Sequence, residues 1–495
     1  MARHSHLIVR LLIGLLLVAA SACGSVAWYG SQSTLPPGIT LEGWPVGGLS
    51  IDAFERQLAE HKQRLLGQVV RISSERSDMP LAPADWTLEQ LGLTLPLEAV
   101  TAKLQPLRSG SPFQRALYRY GLRRQAWDLP AAFDAGALHA SLQRGFPGVY
   151  AQQPVDAQRI VGPQDAISYV PDAGVLRIDE AKLIGQLYAV RPALGTVAAA
   201  EGASGAAGAR SAVPVAVLPL PFYKQEAAVT MRTLQAQGIE RKISEFSTAL
   251  AQNSEGRLHN VCSTAASIHD LLLAPGEVFD YAKYIAETEA KFGFREAPVI
   301  LNGKLVPGIG GGICQVSSTL YNAVLRAGLD IVERRNHSLP VSYVPLGQDA
   351  TFASGYINFR FRNSTPHYLL LRTSANENRL TVKLFGQIPS DVTYTIESKT
   401  VETLEPPVKY VLNPTLPAGQ IQKLSSGQPG YVVETYRYKN QNGQRVATER
   451  ISRDTYSAQP TIYASNQAGT ASPHVPNGQP QAPLIEDGVR GPAFP

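Results

Sequence analysis

Cys314, His337 and Asp349 follow one another within Leu305–Thr351, LVPGIGGGICQVSSTLYNAVLRAGLDIVERRNHSLPVSYVPLGQDAT. A thiol, an imidazole and a carboxylate in that order can serve as nucleophile, base and orienting group. Gly310, Gly311 and Gly312 stand just before the cysteine; glycine permits positive φ and leaves room for a substrate to approach the chain. From there Val316, Leu320, Val324 and Ala327 keep helical spacing, and Gly328 supplies a stop. Cys314 is therefore expected in or beside the first turn of a helix, where the dipole and unpaired N–H groups favour a thiolate and can hold an oxyanion. Gln315 would lend a further oxyanion donor, and Asn336 is a second candidate for orienting His337. Arg334 and Arg335, with the three glycines, complete a candidate substrate-binding set.

The same residues carry a family resemblance. GGGICQVSSTLYNA, then ERRNHSLPVSY, then GQDATF, preceded by LAPGEVFDY and FREAPVILNGKLVPGIGGG, resemble the VanW family of bacterial cell-envelope proteins from Arg257 to Gly386. The resemblance implies an envelope location and supplies no reaction. The family name is associated with vancomycin resistance through gene neighbourhood, which no residue here encodes. The order of the three side chains also resembles papain-like and transglutaminase-like enzymes. That likeness implies attack on an amide or acyl carbonyl, with stem peptides of peptidoglycan as the natural substrate class in an envelope setting. Two other readings stand beside it. Cys314 and Cys262 would form a disulfide if they lie close. Otherwise Cys314 is a small buried residue and the neighbouring Arg334, Arg335, His337 and Asp349 form a binding patch.

The elements that must position these residues make an α+β domain. Asn260–Leu273 has helical apolar spacing and ends at Ala274-Pro275-Gly276. SGYINFRFRN, HYLLLRTS and RLTVKLFG read as consecutive antiparallel strands that would present His337 and Asp349 to the cysteine helix. His259 and His269 lack the spacing of metal ligands on one helix face and read as structural. No metal and no cofactor is expected.

From Val392 onward, alternating threonine and valine with turns at LPAGQ, SGQPG and NQNGQ indicate an all-β module. Tyr394–Ala464 resembles the G-five domain of surface proteins, which implies glycan adhesion; a spacer is the other reading. The Pro/Gly/Ala/Gln-rich tail from Gln467 is expected to be disordered.

Upstream, LGLTLPLEAVTAKLQPL and GVLRIDEAKLIGQLYAV echo each other, as do IDAFERQL and FDAGALHASL, with Asp52 and Asp134 as expected helix N-caps. PPGITLEGWPVGGLSIDAFERQL and VDAQRIV with YVPDAGVLRID resemble the peptidoglycan-binding repeats often found before VanW regions. Arg108, Arg115, Arg119, Arg123 and Arg124, interleaved with aromatics, read as a helix with a solvated arginine face or as a contact for envelope polymer. TVAAAEGASGAAGARSAVP cannot build a core and reads as a linker.

Bulk properties bound the whole. A chain of 495 residues has room for several domains. With 45 Lys+Arg against 40 Asp+Glu the charge is dispersed and mildly basic, which suits an anionic envelope and gives no case for nucleic acid. Three cysteines exclude a disulfide scaffold. Arg3 and Arg10 precede the apolar run Leu11–Ala27, the pattern of an export signal or membrane anchor. Ala20-Ser21-Ala22 offers a cleavage site, and Cys23 after it a lipidation site.

The expected layout is multidomain α+β. It comprises a signal or anchor at 1–30, repeats at 31–128 and 129–194, and a linker at 195–222. A VanW-like domain follows at 223–388, a G-five-like module at 392–466 and a tail at 467–495. The expected protein is exported, membrane-anchored or else secreted or lipidated, and bound to peptidoglycan or another cell-wall glycan.

Overall fold

The computed structural model describes residues 2–203, 216–250, 254–301, 304–466 and 485–490. Leu11 to Val18, apolar apart from Gly14, sit within a helix spanning Ala2–Ser31. Its segment Ile8–Ser31 has a mean hydropathy of 2.1; the apolar stretch from Ile8 to Val26 is exposed, while Gly30 near its end is buried against helix Pro112–Leu122. That is the signature of a signal peptide or a membrane anchor, long and apolar enough to cross a bilayer.

The chain divides into two compact units, Met1–Val155 with Ala173–Ala228, and Asp156–Asp172 with Val229–Pro495. In the first, Phe54, Trp127, Leu183 and Leu218 belong to one apolar core. The break expected at 128/129 therefore does not divide the core, because side chains from both expected repeats fill it together. Helix Ile51–Leu66 is capped by Ser50, whose hydroxyl accepts from Ala53 N–H at 3.2 Å, and not by Asp52. Asp134 caps Ala135–Gly145. In helix Pro112–Leu122 the arginine face is not wholly solvated. Arg119 is buried, donating to the carbonyls of Gln32 at 3.0 Å and Thr34 at 2.5 Å. The expected linker contributes structure too: Leu194–Ala203 is helical and Ala216–Pro219 pairs in parallel with Val69–Ser73.

The second unit is built on a four-stranded antiparallel sheet in the order Arg241–Ala249, Arg379–Gly386, Leu369–Ala375, Leu271–Leu273. Helices Glu255–Ser267 and Ile313–Arg326 pack on it. The helix expected through Leu273 stops at Ser267. Asp270, at φ 56°, turns the chain, and the apolar Leu271–Leu273 becomes an edge strand against Leu369–Leu371. Leu369–Ala375 and Arg379–Gly386 are consecutive antiparallel partners, but Arg360–Arg362 joins a separate sheet with Val278–Asp280 and Asp330–Glu333.

Beyond it lies an all-β module. Val392–Leu404, Gly430–Gln441 and Gln444–Tyr456 form one antiparallel sheet; Val408–Leu412, Thr461–Ser465 and Ile421–Ser425 form another. Of the tail expected to be disordered, 467–484 and 491–495 lie outside the described residues. Residues 485–490 are ordered instead, with Ile485–Glu486 pairing antiparallel with Ile300 and Leu301.

Candidate functional site

Every residue from Ile313 to Leu325 on the cysteine helix is buried. Gly312 precedes it at φ 106°, and Gly310 stands at φ 90°. A Cβ on Gly311 would lie 2.3 Å from the Pro298 carbonyl oxygen. The glycines thus let the loop lie against the chain's own strand Glu296–Leu301, and Gly310 lies against Val489, from which a Cβ would be 3.1 Å away. Cys314 is fully buried. Its sulfur accepts the Phe352 N–H at 3.0 Å and lies 3.4 Å from the Phe352 carbonyl, to which the thiol donates. Burial, with the Asp487 charge adding to it, pushes the thiol pKa well above its ordinary value, so Cys314 is a neutral thiol. Cys314 and Cys262 are both free, not joined in a disulfide.

His337 and Asp349 sit on the irregular chain between Asp330–Glu333 and Arg360–Arg362, not on the sheet. His337 Nδ1 is 2.7 Å from Asp349 Oδ2, and the His337 backbone N–H donates to the same oxygen at 2.7 Å. The other oxygen accepts from the Tyr456 hydroxyl at 2.5 Å and from Arg334 Nη2 at 3.2 Å. Burial opposes the Asp349 charge, but the bonds and charges of His337 and Arg334 outweigh it and draw the pKa down to about 2. Burial likewise opposes the imidazolium; Asp349 again wins, and the His337 pKa is raised. His337 Nε2 is buried with no hydrogen-bond partner among the described residues.

His337 and Asp349 are thus brought together, while Cys314 bonds to neither. The auxiliary residues are committed elsewhere. Arg334 is buried and clamped by Asp454 at 2.6 and 2.7 Å, so it joins modules and does not face a substrate. Arg335 is exposed. Asn336 donates to the carbonyls of His337 and Thr455 and leaves the imidazole to Asp349. The Gln315 amide donates to Thr248 and Ala249, so it is not an oxyanion donor.

Several residues that sequence reasoning missed complete the site. Asp487 Oδ1 accepts from the N–H groups of Gly312 at 3.1 Å and Cys314 at 2.8 Å, and Oδ2 from Arg257 Nη1 at 3.1 Å. Asp487 therefore fills the place at the helix N-terminus that an oxyanion was expected to take. Arg257 also donates to Gln315 Oε1 at 3.1 Å. The Tyr343 hydroxyl is buried without a hydrogen-bond partner among the described residues. Arg257, Tyr343 and Asp487 line a cleft of about 760 Å³, to which Gln428, Ser457 and Gln459 of the all-β module also contribute. Only Arg257 had a local signal, one helical turn upstream of Val261; Asp487 lies 173 positions from Cys314 in a stretch of low complexity.

With this geometry in view, residues 256–385 match the family described as VanW like protein, and residues 395–465 match the G5 domain. The chain carries a VanW-like domain followed by a G5 domain. It is 37% identical over 146 residues to the uncharacterized protein YoaR of Bacillus subtilis (strain 168), covering 30% of this chain and 48% of that one. It is 26% identical over 153 residues to the vancomycin B-type resistance protein VanW of Enterococcus faecalis (strain ATCC 700802 / V583), covering 30% of this chain and 56% of that one. The chain thus spans about half the length of the curated relatives it matches. A solved G5 domain of an IgA1 protease is 24% identical, with 15% of this chain and 89% of that chain covered and a TM-score of 0.13. Cys314, His337, Asp349 and Arg257 all fall in the VanW-like domain, and Tyr456 and Asp454 in the G5 domain.

Proposed function

We propose that this chain is an exported cell-envelope protein, tethered at the membrane by Ala2–Ser31, that binds peptidoglycan through the cleft between its VanW-like and G5 domains. The pairing of these domains is consistent with a cell-wall-associated protein. The observation that carries the reading is the cleft itself. It is lined by both domains, and its lining includes Arg257, whose guanidinium is held by Asp487 and Gln315, and Tyr343, whose buried hydroxyl has no partner among the described residues. The neutral, backbone-bonded Cys314 supports binding over catalysis. The N-terminal unit, with its resemblance to peptidoglycan-binding repeats, would add a second hold on the wall. The test is co-sedimentation of the full chain, in mild detergent, with insoluble peptidoglycan sacculi. Pelleting that falls several-fold in Arg257→Gln is expected; a chain that stays in the supernatant sinks the reading.

A second reading rests on one observation, the unpartnered Nε2 of a His337 already held by Asp349. In that arrangement Nε2 would take the Cys314 proton, the thiolate would attack a stem-peptide amide, and Nε2 would return the proton to the leaving amine, giving a thioester. It requires the Phe352 bonds to break first. Mass analysis of both the chain and the muropeptides after incubation decides it: a protein adduct or a cleaved or transferred stem peptide, absent with Cys314→Ala, supports an acyl transferase or hydrolase, and the absence of all of these excludes it.

A further inference from the structure

Residues 485–490 cross the VanW-like domain at the cleft, and almost every one of them is held. Ile485 and Glu486 add as a strand to the edge of Glu296–Leu301. Glu486 Oε2 accepts from the Ser338 N–H at 2.9 Å and its hydroxyl at 3.0 Å. Asp487 is buried at φ 59°, a left-handed backbone that aspartate tolerates better than most residues. Its carboxylate takes two N–H groups of the cysteine helix and the Arg257 guanidinium. Gly488 passes so close to Val299 that a Cβ would lie 2.4 Å from Val299 Cγ1. Beyond it, the Val489 N–H donates to the Ile309 carbonyl at 2.9 Å, and the Ile309 N–H donates to the Arg490 carbonyl at 2.8 Å.

Main-chain pairing along a sheet edge, with separate pockets for successive side chains, is how proteins bind extended peptides. The helix N-terminus alone is a general anion site. Here it is joined by a mostly buried arginine and a seated carboxylate, with Arg257 side-chain exposure of 15% and Asp487 of 9%. Burying that pair is costly unless each charge is matched, and each is. Residues 485–490 follow a Pro-, Gly-, Ala- and Gln-rich stretch whose sequence has no apolar periodicity that would call for such complete recognition.

We propose that the edge of Glu296–Leu301, Ser338, Arg257 and the Gly312 and Cys314 N–H groups form a binding site for an extended peptide bearing free carboxylates. Ile485–Arg490 of the same chain occupies this site as a tethered stand-in for that ligand. Tethering holds the segment at an effective concentration on the order of millimolar, so an incoming peptide must compete with it. The site is thereby shut until carboxylate-bearing peptide is locally abundant. This deepens the wall-binding reading by naming the ligand chemistry, and stem peptides of the wall fall within the class. Its test uses no cell wall, so either reading can fail without the other.

The probe is a fluorescein-labelled synthetic peptide with the sequence of residues 484–491, titrated by anisotropy against the full chain in detergent. The wild-type chain is expected to bind it weakly. Gly488→Val expels the tethered segment by its clash with Val299 while leaving the proposed ligand contacts intact, and should bind at least about tenfold tighter. Asp487→Ala, which removes the anchor instead, should do the same. Adding Arg257→Gln to either variant should remove binding. A peptide with asparagine in place of the aspartate should bind at least about tenfold more weakly, since charge-assisted bonds are lost. Equal affinity for the two peptides overturns the carboxylate site. Affinity unchanged in both tail variants overturns occupancy by the tether. No saturable binding by any of the three chains overturns the proposal whole.

Discussion

Tyr456 of the G5 domain donates its hydroxyl to Asp349 of the VanW-like domain at 2.5 Å, and the same hydroxyl accepts the Gly347 N–H at 2.6 Å. The carboxylate that orients His337 is therefore oriented in turn from the neighbouring domain. Arg334 closes the same contact by bridging Asp349 and Asp454. A G5 domain bonded this way is part of the site's scaffold, and not a spacer hung after it.

Tyr456→Phe keeps the ring and removes both bonds. It leaves the buried Gly347 N–H without an acceptor and Asp349 with Arg334 alone on Oδ1. A buried polar group left unsatisfied costs about 1–3 kcal/mol. Urea unfolding should show a loss of that size. The exposed Arg335→Ala, two positions from His337, should stay within about 0.5 kcal/mol of wild type. A Tyr456→Phe variant as stable as the parent would show that the inter-domain bond does not hold the site.

The pH profile of stability carries a second expectation. Asp349 has a folded pKa of about 2, below its ordinary value, so its contribution is full above about pH 4 and drains away as pH falls through the folded value. That contribution is on the order of 2 kcal/mol. The His337 pKa is raised, so its contribution is full below about pH 6.5 and is lost as pH rises through the folded value. The pair thus favours the fold most between roughly pH 4 and 6.5. Urea midpoints measured from pH 2 to 9 should rise and then fall across that window in wild type, and Asp349→Asn should lack both slopes. Parallel profiles for the two proteins would mean that some other group titrates.

What the sequence made legible follows from the range of the forces involved. The Cys314 helix and its glycine start are local, written in residues a few positions apart, and so is the alternation that marks Val392–Leu404 and Gly430–Gln441 as strands. The pairing of His337 with Asp349 spans only 12 positions and was also within reach. Arg334 looked like a ligand contact because its partner Asp454 lies 120 positions away. Asp487 was invisible for the same reason, since a single aspartate in a Gly- and Pro-rich tail has no periodicity to betray its burial. Leu271–Leu273 misled in another way. A three-residue apolar run fits a helix or a strand equally, and only Leu369–Leu371 beside it decides. That the histidine and aspartate stand on a loop was hidden too, because that loop is held by distant partners, Ser318 and Asn322 on the cysteine helix and Tyr456 in the G5 domain, and not by local spacing.

Cys314 supplies the last expectation. Its thiol is fully buried, bonded to the Phe352 backbone and raised in pKa by burial and the Asp487 charge. Alkylation requires both exposure and the thiolate, and here each depends on local opening of the cleft. Iodoacetamide should label Cys314 in the folded chain at pH 8 at least about a hundredfold more slowly than after unfolding in guanidinium. The site of label is read by peptide mass mapping, which separates Cys314 from Cys23 and Cys262. Reductant should change nothing, because Cys262 and Cys314 are both free. Gly488→Val removes Asp487 from the helix N-terminus, so it should speed labelling of Cys314 with no change at Cys23. Rapid labelling in the intact wild-type chain, weakened by His337→Ala, would instead show a thiolate paired with His337 and return the cysteine chemistry to first place.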